Sequence, residues 1–201
     1  ATEFFAEYYR NKLGIQAEVR RSLIQDEKFI RPDHVLATHR PETRKHGFIT
    51  LMNPALQKGG TLFARIVQVA ERERPDLMFL AVEGRMTGAD WAKAGLDLAN
   101  RRNLWWLSNQ EEVRPIYART SILLLPSFWV EAAGRCIPEA QLGGIPVLGA
   151  NHSGIPEQLN GGGFALDVPE RCRDRQGEIP TTAEIRPWLD TIYRLMDDKI
   201  F

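Results

Sequence analysis

The sequence predicts an α/β fold in which a mostly parallel β-sheet lies between two layers of helices, a three-layer sandwich. Three observations carry that expectation. Short uninterrupted apolar runs of strand length recur from about residue 47 onward, helix-length amphipathic segments separate them, and Gly or Pro punctuates most of the junctions. A strand covered on both faces reads as a continuous apolar run, and alternation with helices is the signature of parallel βαβ units.

Residues 48–52 form the first expected strand. Residues 59–73 form the helix after it, with Leu62, Phe63, Ile66, Val67 and Ala70 at the spacing of a buried face and Pro75 beyond the end. Residues 77–82 read as the second strand, closed by Gly84, and 87–101 as a helix. A short strand over 104–107 precedes a short helix over 111–119, where Pro115 falls early enough to be tolerated. Residues 122–125 are a buried strand, and the helix over 134–142 stops at Gly143-Gly144. A strand over 145–148 and a short helix over 155–159 follow. Gly161-Gly162-Gly163 feeds a last strand, 164–166, and the polar stretch 167–180 reads as loop. A final amphipathic helix begins near Thr182, with Trp188, Leu189, Ile192 and Leu195 on one stripe. The opening residues stand outside this rhythm: 3–13 read as an isolated helix capped by Gly14, and 15–19 as a short strand. Residues 1–30 are therefore assigned to a separate unit and 31–201 to the α/β domain.

The chain has 201 residues with 26 basic and 26 acidic side chains, so its formal net charge is zero. That length suffices for a substantial core. The balance gives no reason to expect nucleic acid or an anionic membrane as a partner, so any phosphate affinity must be local. Aliphatic runs are too short to cross a bilayer and no signal peptide opens the chain, so a soluble, cytoplasmic protein without a transmembrane segment is expected. Cys136 and Cys172 are too few and too far apart for a metal site or a disulfide framework and read as reduced thiols.

Glu131 and Glu139 follow the strand at 122–125 within PSFWVEAAGRCIPEA. An eight-residue step turns a helix about 80° past two full turns, so the two would not share one helical face. Pro126, Ser127 and Gly134 instead place Glu131 in a loop at the carboxyl end of a strand, with Glu139 about one turn inside the next helix. In open α/β sheets ligands bind at that edge, and a helix start offers free N–H groups and a partial positive charge that suit phosphate. Carboxylates repel phosphate, so their expected partners are the hydroxyls of a sugar or ribose, which donate to an acceptor-only group.

Pro126-Ser127 with Glu131, Gly134, Glu139-Ala140, Gly144-Ile145-Pro146-Val147 and Gly154-Ile155-Pro156-Glu157 closely resembles the C-terminal domain of group 1 glycosyltransferases, as do Lys58-Gly59 after Asn53-Pro54 and Tyr117-Ala118 before the strand. These are retaining enzymes of the GT-B fold, in which two Rossmann-like domains face a cleft. The resemblance covers about residues 31–195, and it makes the opening residues look like the end of an N-terminal domain that is otherwise missing. It implies that Glu139 binds the ribose of a nucleotide diphosphate sugar and that Glu131 faces the transferred sugar. Backbone N–H groups of Ala132, Ala133, Gly134 and Arg135 would cradle the sugar hydroxyls and the diphosphate. Lys58, beside Gly59, would neutralise the leaving phosphate as charge develops, a pre-placed cation of the kind that lowers such barriers. No metal or other cofactor is implied.

Two departures from the family pattern bear on the chemistry. Asn53 stands where an arginine is common, so weaker charge stabilisation is expected unless Arg85 or Arg135 supplies it. Ala132-Ala133-Gly134 replaces the usual Gly-Phe-Gly, which leaves more room near the donor sugar. Other residues read more plainly: Trp105-Trp106 as core in a strand in preference to a base-stacking pair, His152 as a surface-loop residue in preference to a phosphate ligand, and Glu157 as a brace of the Gly154 loop. His34, His39 and His46 match no metal spacing. The rival readings are a sugar-nucleotide epimerase of the same fold and a non-catalytic nucleotide-binding module. A dinucleotide oxidoreductase is disfavoured, because no Gly-x-Gly-x-x-Gly follows the first strand.

Overall fold

A computed structural model describes residues 2–20, 24, 47–93, 95, 98 and 101–198. Its strands are β1 (Phe48–Met52), β2 (Phe79–Val82), β3 (Leu104–Leu107), β4 (Thr120–Leu125), β5 (Val147–Ala150) and β6 (Gly163–Leu166). Its helices are α1 (Glu3–Leu13), α2 (Gly60–Glu73), α3 (Gly88–Lys93), α4 (Arg114–Tyr117), α5 (Cys136–Leu142), α6 (Ile155–Leu159), α7 (Glu170–Asp174) and α8 (Arg186–Asp197).

The strands form one sheet in the order β3-β2-β1-β4-β5-β6, and each neighbouring pair is parallel. The expected mostly parallel sheet is wholly parallel over the described residues. The order runs outward one way from β1 and the other way from β4, so the crevice between those strand ends is the topological switch point where α/β sheets bind ligands.

Side chains alternate across a strand, and β4 shows why its apolar run is unbroken. Ile122 and Leu124 join Ile49, Leu51 and Phe79 under Leu62, Phe63, Ile66 and Val67 of α2 and Trp188, Leu189 and Ile192 of α8. Leu123 and Leu125 point the other way, onto Ile137 and Ala140 of α5 and Ile155 and Leu159 of α6. Burying each such side chain contributes about 1.5–3 kcal/mol. That outweighs the modest helix propensity of Thr61, Ile66 and Val67 in α2. Five side chains expected on the α2 face, Leu62, Phe63, Ile66, Val67 and Ala70, are all buried.

Several elements differ from the sequence expectation. Residues 15–19 form no strand, since no neighbour among the described residues offers them a ladder. The stretch expected as loop holds α7, whose Cys172 is buried in the core. Cys172 alone among the five residues of α7 is buried, too weak a periodic signal. The helix expected over 87–101 is described only as α3, begun by a capping box in which the Thr87 N–H and hydroxyl both donate to Asp90 Oδ2. The helix expected over 111–119 shrinks to α4, with Pro115 in its first turn. The strand expected over 145–148 is β5, two residues later, and α5 begins at Cys136 instead of Gly134. The boundary at residues 30 and 31, and His34, His39 and His46, lie outside the described residues.

Candidate functional site

The loops after β1 and β4 meet at the switch point and are fastened to one another. Phe128 and Trp129 both donate their N–H to the Gln57 carbonyl, over 2.9 and 3.0 Å. Gly59 adopts φ +79, and a Cβ there would stand 1.9 Å from the Pro126 carbonyl oxygen, so only glycine fits both the turn and the contact. This seats Lys58 opposite Glu131: the Lys58 ammonium donates to Glu131 Oε1. The Ser127 hydroxyl donates to the same oxygen over 2.9 Å.

Glu131 is buried and held at its backbone as well as its carboxylate. Its N–H donates to Ser153 Oγ over 3.2 Å, and its carbonyl accepts from the Gly154 N–H over 3.1 Å. Ser153 adopts the left-handed region at φ +57 to reach it. A buried carboxylate is tolerated because a cation and a hydroxyl both serve it.

Glu139 lies in the first turn of α5, as expected. Its Oε2 accepts from the Tyr117 hydroxyl over 2.8 Å, and Arg135, largely exposed, pairs with Oε1 at 3.4 Å. Burial pushes the Tyr117 hydroxyl far above its usual range, with Cys136 and Glu139 adding to the shift, so it remains a donor to Glu139. Burial likewise raises the Cys136 thiol to about 12, again with Glu139 and Glu131 adding, so this residue at the start of α5 is a protonated thiol and a poor nucleophile.

The amides of Ala132, Ala133 and Arg135 donate to no acceptor among the described residues. The Gly134 N–H differs, being engaged by Gln158 Oε1 at 2.7 Å. Asn53 follows β1 in the left-handed region at φ +56, a conformation that asparagine tolerates, and its Oδ1 accepts the Arg85 N–H over 3.0 Å. Its side chain is thus occupied with the turn, and Arg85 is exposed.

Three expectations about neighbouring residues change. His152 is half-buried, with Nε2 lying 2.7 Å from the Ser127 carbonyl oxygen, so it belongs to the site's frame and not to a surface loop. Glu157 accepts the Phe4 N–H over 3.3 Å and so braces the start of α1. Trp106 packs on the core while Trp105 is 58% exposed, edge-on to Phe48 on the outer strand β3, two strands from β1. Sequence reasoning assigned no role to Gln57, Ser153 or Gln158. The first acts through its backbone carbonyl, for which a side chain gives no signal.

The switch-point crevice therefore gathers a paired cation and carboxylate, a second carboxylate and unengaged amides, groups able to receive an anion together with donor hydroxyls. Among the described residues no three His, Cys, Asp or Glu side chains come together as a metal ion would require, and no helix is long and apolar enough to cross a membrane.

A six-stranded parallel sheet with this strand order is a Rossmann-like α/β domain. Solved structures that superimpose on it include GT-B glycosyltransferases. A glycosyltransferase from Rickettsia africae ESF-5 superimposes with a TM-score of 0.69 at 17% identity, covering 99% of this chain and 53% of that one. The Anabaena protein HepE, solved with UDP and glucose, gives 0.57 at 20% identity over 92% of this chain and 54% of its own. WaaG, a glycosyltransferase involved in lipopolysaccharide biosynthesis, gives 0.63 at 18% identity, with 98% and 59% covered. The chain thus spans about half the length of these proteins. No protein-family model matches the sequence, and no curated protein does.

Proposed function

We propose that this chain is the donor-binding half of a retaining glycosyltransferase, which moves a sugar from a nucleotide diphosphate sugar to an acceptor. The observation that carries the reading is the meeting of Lys58 and Glu131 across the switch point, with Glu139 on the adjoining helix. In this reading the ribose hydroxyls donate to Glu139, and Glu131 takes hydroxyls of the transferred sugar. The amides of Ala132, Ala133 and Arg135 receive sugar hydroxyls and diphosphate oxygens, and the Gly134 N–H joins them when Gln158 releases it.

Lys58 is the cation for the departing phosphate. Its pairing with Glu131 holds it ready, and the pair loosens as negative charge accumulates on the leaving group, so the stabilisation is greatest where the reaction needs it. Lys58 supplies that positive charge without a metal. The other wall of the cleft, which presents the acceptor, belongs to an N-terminal domain of the same protein, and the reaction takes place in the cytoplasm. HepE, which shares the fold, was solved with UDP-glucose, and that supports a nucleotide sugar as the ligand.

A non-catalytic nucleotide-binding module is the second reading, favoured by the use of the Asn53 side chain in the turn where a cation would be expected. Calorimetry with a panel of nucleoside diphosphates and their sugars separates the readings. In a donor site Glu131→Ala weakens a sugar nucleotide more than its plain nucleotide, whereas in a nucleotide module it affects the two alike. Glu139→Ala is expected to weaken both ligands by about 1.5–3 kcal/mol, the range for hydrogen bonds to a charged group. Unchanged affinity would remove Glu139 from the site. The chain alone is expected to bind without turnover, and sugar transfer by these residues unaided would refute the need for a second domain.

A further inference from the structure

Ser127 and His152 stand on the loops after β4 and β5, behind the Glu131–Lys58 pair. Ser127 is fully buried; its hydroxyl donates to Glu131 Oε1 over 2.9 Å, and its carbonyl oxygen lies 2.7 Å from His152 Nε2. A carbonyl oxygen only accepts, so Nε2 carries the proton, and in the neutral ring Nδ1 is left as an acceptor. Nδ1 is buried and meets no donor among the described residues.

A buried polar atom without a partner is unfavourable and calls for a reason. Packing does not supply one, because an apolar side chain would fill the same space without that atom. What the imidazole provides is a donor aimed at the backbone of the residue whose hydroxyl holds Glu131. In the chain His152 comes two residues after Ala150, the end of β5, and the next residue, Ser153, accepts the Glu131 N–H over 3.2 Å. Residues 152 and 153 thus grip the Glu131 loop at two points, one through Ser127 and one directly.

We propose that His152 is a positioning residue for the Glu131–Lys58 pair, acting through Ser127. Its Nε2–H fixes the Ser127 peptide so that the hydroxyl points at Glu131 Oε1, next to the Lys58 ammonium. Glu131 Oε2, which has no donor among the described residues, is thereby held toward the ligand side and takes a hydroxyl of the transferred sugar. Without His152 the carboxylate can turn, and the sugar contact is lost before the nucleotide contact. Nε2 keeps its proton whether the ring is neutral or charged, and the surroundings of the ring favour the neutral form. Burial lowers the imidazole's proton affinity and Arg173 adds to the effect, while the Ser127 carbonyl and Glu131 oppose it.

The inference rests on the donor-site reading for its sugar contact but not for the geometry, so the test has two arms. Without ligand, the carbon-13 signal of the Glu131 carboxyl reports its partners. His152→Phe is expected to move that signal, and His152→Gln, whose amide nitrogen reaches the position of Nε2, to restore it. His152→Asn, polar but too short, should behave like the phenylalanine variant, and it serves if the latter does not fold. An unmoved signal in a folded variant overturns the proposal. With whichever nucleotide sugar of the panel the wild type binds, His152→Phe should weaken that ligand about tenfold and its plain nucleotide less than about twofold, again with rescue by glutamine. Equal losses for the two ligands, or no rescue, would also overturn it. Absence of nucleotide-sugar binding by the wild type defeats the donor reading alone, and the carboxyl signal still decides the role of His152.

Discussion

The two ends of the parallel sheet gather different things. At the carboxyl ends of β1, β4 and β5 a lysine, a glutamate, two serines and a histidine are linked within hydrogen-bonding distance, on loops that are tied to one another. At the amino ends of β5 and β6 lies a cavity of about 620 Å³, walled by Gln141, Pro146, Asn160, Gly162, Phe164 and Leu195 among others, with no charged side chain in its lining. This hollow is at one end of the sheet and the linked charged groups are at the other. The reversal of strand order marks the candidate site, where short loops bring opposite charges together.

The contrast can be broken most sharply at Gly59. Gly59→Ala places a methyl against the Pro126 carbonyl at a left-handed position, and a loss of about 3 kcal/mol or more in thermal unfolding is expected. Little change would mean that the loops after β1 and β4 are not clamped as described. Next in size is Glu131→Ala, which leaves a partly buried lysine without its carboxylate. A stability loss of about 1–2 kcal/mol is expected, discounted for the exposed part of Lys58. The same variant should weaken a sugar nucleotide more than its plain nucleotide, and equal losses would argue against a sugar-facing role. At the other end of the sheet, Gln141→Ala removes the hydrogen bond to the Leu159 carbonyl, 2.8 Å long, and should cost about 1 kcal/mol of stability. Nucleotide affinity should not change; a marked drop would transfer the site to the cavity and undo the comparison.

The smallest expected effect is on pH dependence. Burial holds the His152 imidazole below its usual value of 6.5 in the folded chain. The unfolded chain therefore takes up the proton first as pH falls. The contribution of His152 to stability is full above about 6.5 and declines as pH drops from there through the lowered folded value. Denaturant titrations across that window should show less acid sensitivity for His152→Gln than for the wild type. Identical slopes would mean that the ring is not shielded.

Much of this frame was legible in the sequence. The unbroken run of β4 and the spacing of Leu62, Phe63, Ile66 and Val67 report burial directly, because a side chain's neighbours along the chain reveal which face it serves. Glu131 and Glu139 could be singled out because charged residues stood among glycines and prolines after a strand, whereas Lys58 entered through the family resemblance. What stayed hidden depends on partners distant in sequence. Glu157 meets the Phe4 amide across 153 positions, and Ser127 receives His152 at its carbonyl, a group every residue carries. The residues at 15–19 looked like a strand because composition registers β-propensity but not whether an edge is available to pair with. Cys172 hid α7 because one buried residue sets no period.

Thr2 carries a structural consequence. It is 2% exposed, its hydroxyl donates to the Ala132 carbonyl over 3.0 Å, and a β-carbon on Gly154 would strike it. The first turn of α1 is in this way part of the scaffolding under the loop that carries Glu131. A change at Thr2 would therefore be felt in the loop that carries Glu131, although Thr2 lies 130 positions from its hydrogen-bond partner there, so a side chain far from the sheet in sequence sets the shape of the sheet's carboxyl edge.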